Sequence, residues 1–270
     1  VTHADRVLTV CQEGKTHYVT DCGANPDSVY EISNTVDLNQ FDNHLHRGTK
    51  TSGDHESPPS QSDGGTQANG GARNWDRPSD MPEGVVASYV GRLGVHRGLE
   101  TVLGALAHRN DTTDTPMQLV IVGPDDNDNA DALRAHARTL GVSDQLCFVG
   151  WVDFEDVPRY MAASDICLVP HAATPHTETT IPHKLFQYMA AARPVLVTDV
   201  PPLKRIIDET NAGLVTPAGD PEAMADALHE LGADPEYADT LGRNGRQAVE
   251  EHYRWEQDAE TLRAIYRDLE

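Results

Sequence analysis

Lysine is almost missing from this chain. Lys15, Lys50, Lys184 and Lys204 are the only four in 270 residues; arginine supplies the rest of 21 basic side chains against 43 Asp and Glu, a net charge of −22. Such a surface repels nucleic acid and anionic membranes, so neither is expected as a general partner. High salt would screen the self-repulsion, and the Asp-rich, Lys-poor balance is similar to that of proteins from salt-loving microbes. Cysteine is sparse too. Cys11, Cys22, Cys147 and Cys167 show no C-x-x-C spacing, which argues against a disulfide framework or a Cys-built zinc site and points to a reducing cytoplasm. Cys147 and Cys167 sit in apolar runs, where a thiol behaves as a small hydrophobe. No apolar run approaches the roughly 20 residues that span a bilayer. The opening VTHADRVLTV lacks the basic-then-apolar order of a signal peptide. It also lacks a methionine, which reads as a chain entered midway.

What is present is an alternation. Arg6 to Val10 reads as a short strand, Glu13 to Thr20 as a helix and Val29 to Ile32 as a second strand, followed by a turn over Asn34 to Asp37. These pieces are too few to bury a core of their own. Residues 42–83, including GTKTSGDHESPPSQSDGGTQANGGARN, carry almost no apolar side chain and are expected to be a flexible linker or insertion. From Val85 short apolar strands alternate with amphipathic helices. Strands are expected at Val85 to Val90, Gln118 to Val122, Leu146 to Val149, Ile166 to Val169, Val195 to Val197 and Gly213 to Val215. This pattern predicts an α/β fold, a Rossmann-like parallel sheet with helices on both faces. The expected domains are therefore 1–41 (a remnant), 42–83 (linker), 84–250 (the sheet domain) and 251–270, a C-terminal helix. In that helix Trp255, Ala259, Leu262, Ile265, Tyr266 and Leu269 form a stripe at helical period, expected to be core packing, in part against a domain outside this chain.

Ligands of such sheets sit outside the carboxyl ends of the strands, where Gly91, Gly123, Gly150, Pro170 and Asp199 fall. Two stretches there carry chemistry. Gly91-Arg92-Leu93-Gly94-Val95-His96-Arg97-Gly98 matches neither G-x-G-x-x-G nor the P-loop. It does place Gly91 and Gly94 where backbone can approach a ligand, with two arginines whose forked donors suit phosphate. The second stretch is IPHKLFQYMAAARPVLVTD, from Ile181 to Asp199. Pro182 can open a helix, Leu185, Tyr188, Met189 and Ala192 share one apolar face, and Lys184 and Gln187 share another. A lysine at a helix start is misplaced for the helix dipole but well placed for an anion. His171, His176 and His183, with Glu178 among them, fit no helical metal-ligand spacing, so no metal is expected; His171 to Thr180 reads instead as a sugar-facing loop.

Taken in order, YVGRLGVHRGLETVLGAL, QLVIVG, LCFVGWVDFEDVPRYMAASDICLVP, PHKLFQYMAAARPVLVTD and GLVTPAGDPEAMADAL resemble the donor-binding half of the retaining glycosyltransferases of family 4, which have the two-domain GT-B fold. ADRVLTV and NTVDLNQF resemble the segments that close the family's N-terminal domain. That resemblance implies that Arg92 and Arg97 contact the donor's diphosphate, with Lys184 fitting a P-x-K-L-F-E-Y variant of the helix. Two glutamates usual in the family fall on Gln187, which carries no charge, and near Thr179, with Glu178 one residue off. Trp151 and Val152, with Asp153 to Asp156 after them, lie near where the family holds the nucleotide base by backbone contacts.

The resemblance further implies transfer of a sugar from a nucleotide diphosphate donor to a hydroxyl, with retention and without a metal or cofactor. Arg92, Arg97 and Lys184 would be the catalytic cations. The acceptor, a glycan, lipid carrier or small molecule, would bind the family's N-terminal domain. Nothing of domain size precedes Val85, so a fragment, a split subunit whose partner supplies that domain, or a decayed copy is expected. A lipid-linked acceptor would bring this cytoplasmic protein to the inner membrane face. Alternatives are a non-catalytic nucleotide-sugar-binding module and a GT-B nucleotide-sugar epimerase.

Overall fold

The computed structural model describes residues 4–47, 77–110 and 116–269. The N-terminal segment runs β1 (Val7–Thr9), α1 (Gln12–Thr20), β2 (Val29–Glu31) and α2 (Leu38–Arg47), with β1 and β2 paired in parallel. Six strands follow: β3 (Val85–Val90), β4 (Met117–Val122), β5 (Leu146–Gly150), β6 (Ile166–Val169), β7 (Val195–Thr198) and β8 (Gly213–Thr216). Between and after them lie α3 (Leu99–Asn110), α4 (Asp128–Leu140), α5 (Val157–Ala162), α6 (His183–Ala190), α7 (Pro201–Thr210), α8 (Pro221–Ala233), α9 (Pro235–His252) and α10 (Trp255–Arg267).

The six strands form one parallel sheet in the order β5-β4-β3-β6-β7-β8. Their near-continuous apolar sequences follow from burial on both faces. Side chains alternate all the same: Val86, Val90, Val120 and Val122 join one core layer, Ala87, Tyr89, Leu119 and Ile121 the other. The second layer is closed by Leu103 and Leu106 of α3, Leu133 of α4 and Leu228 of α8. The first is closed by Met161 of α5, by α6, and by Leu203 and Ile206 of α7. Asn127 and Asp220 cap α4 and α8 by accepting from two backbone N–H groups each, the usual remedy for orphan donors at a helix start.

The winding positions the site. From β3 the chain steps outward to β4 and β5, then returns to the other side of β3 with β6 and steps outward to β8. The connections leaving β3 and β6 therefore start side by side and lead to helices on opposite faces, which makes this the switch point, where sheets of this kind have their ligand crevice.

Three expectations need correction, and one needs an addition. The linker expected from residue 42 begins inside α2, because Leu38, Phe41 and Leu45 bury one face while Asp42 binds both arms of Arg246 at 2.7 Å; residues 48–76 lie outside the described residues. The N-terminal pieces, as expected, have no core of their own; they pack on the sheet domain instead. Cys11, Val36, Phe41 and Leu45 share the sheet's first layer, and Glu13 pairs with Arg205 at 2.7 Å. Helix α6 begins at His183, with extended Pro182 as its cap, and Ala192 lies beyond its end at φ 55°. It is buried nearly all round from Leu185 to Ala190, Gln187 included, because the sheet, α5 and α9 surround it. The stripe on α10 is not core packing: Ile265 is buried, but Trp255, Tyr266 and Leu269 are exposed. That helix is tied to the body at its first turns, where Trp255 N donates to the Val36 carbonyl at 3.1 Å and Asp258 accepts from Thr35 and Ser33.

Candidate functional site

Two loops meet at the switch point. The one leaving β3 turns at Gly91, with φ 130°, and ends at Gly98, with φ 66°. A Cβ on Gly98 would lie 1.8 Å from the Pro170 carbonyl oxygen, so only glycine lets this loop press against the exit of β6. A hydrogen bond from Ala172 N to the His96 carbonyl, 3.1 Å, joins the two loops again.

This contact brings Arg97 against His171, with Nη1 3.0 Å from Nε2. His171 is 3% exposed, and its carbonyl accepts from Thr198 Oγ1 at 2.6 Å. The rings of His96 and His171 stand 6.5 Å apart, those of His96 and His176 6.0 Å. Burial, then Arg97, Lys184 and the two neighbouring imidazoles, push the His171 pKa down to about 3. Burial and the same cations lower His96 as well.

Lys184 comes from the first turn of α6. Its Nζ lies 3.5 Å from the centroid of the Tyr89 ring, a cation–π contact, and 2.9 Å from where a Cβ on Gly91 would stand. Tyr89 is locked in place by its hydroxyl, which donates to the Arg92 carbonyl at 2.8 Å, and burial raises its pKa to about 12. Tyr188 of α6 accepts from Val90 N at 2.8 Å, so the helix that carries Lys184 is fastened to the strand that carries Tyr89. Burial, then the nearby Arg97, hold the Lys184 ammonium well below its usual range. Among the described residues no carboxylate lies within ion-pair distance of Arg97 or Lys184. Two cations gathered without an acid, in a chain with 43 acids, leave the crevice ready for an anion.

The other expected residues divide. Arg92 is exposed, and its side chain makes no hydrogen bond or ion pair among the described residues, so the crevice gathers Arg97 and Lys184 without drawing it in. Gly91 is half-buried at the strand tip. Gly94 has extended backbone and is not strained; a Cβ there would meet the His96 ring at 3.3 Å. Thr179 turns its hydroxyl back onto the Pro175 carbonyl at 2.9 Å, and Glu178 beside it is exposed. Gln187, one turn on from Lys184, is buried. Trp151 is 73% exposed beyond β5, whereas Val152 packs on the core. Among the described residues no group of three or more His, Cys, Asp or Glu is disposed to hold a metal ion, and no helix is long and apolar enough to cross a membrane.

Sequence reasoning passed over His171 and Tyr89 as partners of the cations. The signal was available for His171, which follows the last residue of a strand by two positions. What was missing was the strand order that puts β6 beside β3.

The family described as "Glycosyl transferases group 1" matches residues 74–248. A curated "D-inositol 3-phosphate glycosyltransferase" of Kribbella flavida is 27% identical, with 99% of this chain aligned to 57% of that protein. The chain spans about half the length of the curated relatives it matches. Among solved structures, sucrose-phosphate synthase from Thermosynechococcus elongatus superposes with TM-score 0.74 at 24% identity, over 99% of this chain and 59% of that one. Anabaena HepE in complex with UDP-glucose superposes with TM-score 0.69 at 19% identity, over 97% of this chain and 64% of that one. The sheet and its flanking helices thus have the fold of the C-terminal half of a GT-B protein.

Proposed function

The chain belongs to the family of glycosyl transferases group 1, and from that premise we propose that its crevice binds the diphosphate of a nucleotide-sugar donor. The donor's sugar passes to a hydroxyl with retention at the anomeric carbon, as in family 4, and this chain supplies the donor-binding half. The carrying observation is the pairing of Arg97 and Lys184 at the β3–β6 switch point, with imidazoles and a tyrosine ring around them and no acid. Anabaena HepE, of the same fold, was crystallised with UDP and with UDP-glucose, which supports a donor of that chemical class.

The chemistry follows from charge. As the glycosidic bond breaks, its electron pair stays on the β-phosphate oxygen, and negative charge grows there. Fixed cations that are already in place stabilise that charge without reorganising, usually the largest contribution in such sites. Arg97 supplies a fork, Lys184 a point charge, and the N–H groups at the start of α6 add to them. A diphosphate also favours the charged form of Lys184, offsetting the burial and the Arg97 charge that disfavour it. Arg92, exposed at the rim, meets the outer phosphate or the nucleotide. Gln187 offers a neutral amide toward hydroxyls, and Trp151 and Val152 flank the base. Acceptors of the lipid-carrier, glycan or small-molecule kind, and a separate subunit with the acceptor domain, belong to the same proposal.

Isothermal titration with UDP, GDP and their glucose and mannose conjugates tests it, followed by a product assay with acceptors. Binding at micromolar levels with product of retained configuration is the expected result. Binding without turnover supports the module reading, and turnover without acceptor supports the epimerase reading. No binding of any nucleoside diphosphate overturns all three.

A further inference from the structure

Arg97 is hydrogen-bonded to an imidazole, whereas arginines elsewhere in this acidic chain, such as Arg134, Arg205 and Arg246, bind carboxylates. A guanidinium only donates, so at 3.0 Å the Nε2 of His171 accepts and the ring proton resides on Nδ1. The ring cannot swing away: it is 3% exposed, and the backbone at His171 is held by Thr198. Groups facing it are Arg97 from the β3 loop, Lys184 from α6, and His96 and His176 from the two loops. All are basic, so these four neighbours oppose a positive charge on the ring.

We propose that His171 is a positioning residue: it grips one arm of Arg97 as a neutral acceptor, aiming the fork while leaving its charge uncancelled for the donor diphosphate. An Asp or Glu at this place would hold the arginine equally well but would neutralise it and repel the phosphates. An imidazole kept neutral does the first without the second. This inference rests on Arg97 being a diphosphate contact.

A double-mutant cycle on UDP affinity, measured by titration calorimetry with thermal melts as a fold check, tests it. His171→Ala weakens UDP about tenfold, the size expected for loosening a hydrogen bond to a charged group. His171→Gln, whose amide oxygen reaches the Nε2 position, stays within about threefold of the native protein. In an Arg97→Ala background, His171→Ala causes no further loss. If His171→Ala does not fold, His171→Asn takes its place, since its amide is too short to reach. Weak binding by Arg97→Ala with no effect of His171→Ala, or losses that multiply in the double variant, overturns the inference alone. Unaltered UDP affinity in Arg97→Ala overturns the reading of the site beneath it, and the inference with it.

Discussion

Arg246 and Arg97 hold the same side chain to opposite ends. Arg246, in the seam where α9 meets the N-terminal segment, gives both arms to Asp42, its Nε to Glu250 and a further bond to the Ala190 carbonyl. Arg97, at the strand tips, meets His171, and Lys184 beside it lies over an aromatic ring. Arg246 in the seam and Arg205 on α7 are answered by carboxylates of the chain; in the crevice no carboxylate among the described residues answers Arg97 or Lys184. A chain with twice as many acids as bases has no shortage of carboxylates, so their distance from the crevice is informative.

The contrast can be broken at several points, beginning with the largest effect. Arg246→Ala removes the seam's anchor and leaves Asp42 without its partner, which is expected to lower folding stability by about 3 kcal/mol. UDP affinity of the folded fraction should not change. Urea unfolding curves check this, and a loss of binding without loss of stability would erase the distinction. Arg97→Ala should do the reverse: UDP affinity falls by about 2 kcal/mol with little change in the melting temperature.

A third test uses pH. The folded pKa of His171 is depressed from 6.5 to about 3. Between those values the unfolded chain binds a proton that the native chain does not. Stability from this group is therefore complete above pH 6.5 and lost progressively as pH falls toward 3. His171→Gln removes the term, so from pH 6.5 downward its stability should gain on the native protein by at most about 1.4 kcal/mol per pH unit. Parallel stability curves for the two proteins would mean that the imidazole titrates freely. The smallest effect is expected from a lysine outside both regions. Lys204 bonds Asp208 across one helical turn with both side chains more than half exposed, so Lys204→Ala should shift stability by less than about 0.5 kcal/mol, while Lys184→Ala weakens UDP by about 1 kcal/mol or more.

Much of this was legible in the chain. The apolar run ICLV, bounded by Asp165 and Pro170, is a strand in both sequence and structure, because four buried β-formers between breakers leave little else. The basic residues at Arg97 and Lys184 could be noticed for the same reason, one after a strand and one at a helix start. Other features escaped. The period of Trp255 to Leu269 marks a helix face, but period says nothing about what lies opposite, and most of that face is exposed. The spacing of α6 marks one apolar face, yet the helix is enclosed on nearly every side, Gln187 included. Residues 42–47 share polar composition with the stretch after them, and only the docking of Phe41 and of Leu45 among them shows that they belong to α2.

The local sequence alone determined the alternation of strands and helices, the acidic surface, and a pair of cations at element ends, since each depends on propensity, patterning or composition within a few residues. Only the tertiary structure decided that β6 returns beside β3 and so carries His171 and Lys184, 74 and 87 residues further along the chain, to Arg97. Strand order is set by how helices cover both faces of a sheet, a property of the whole core, and no window of the sequence contains it.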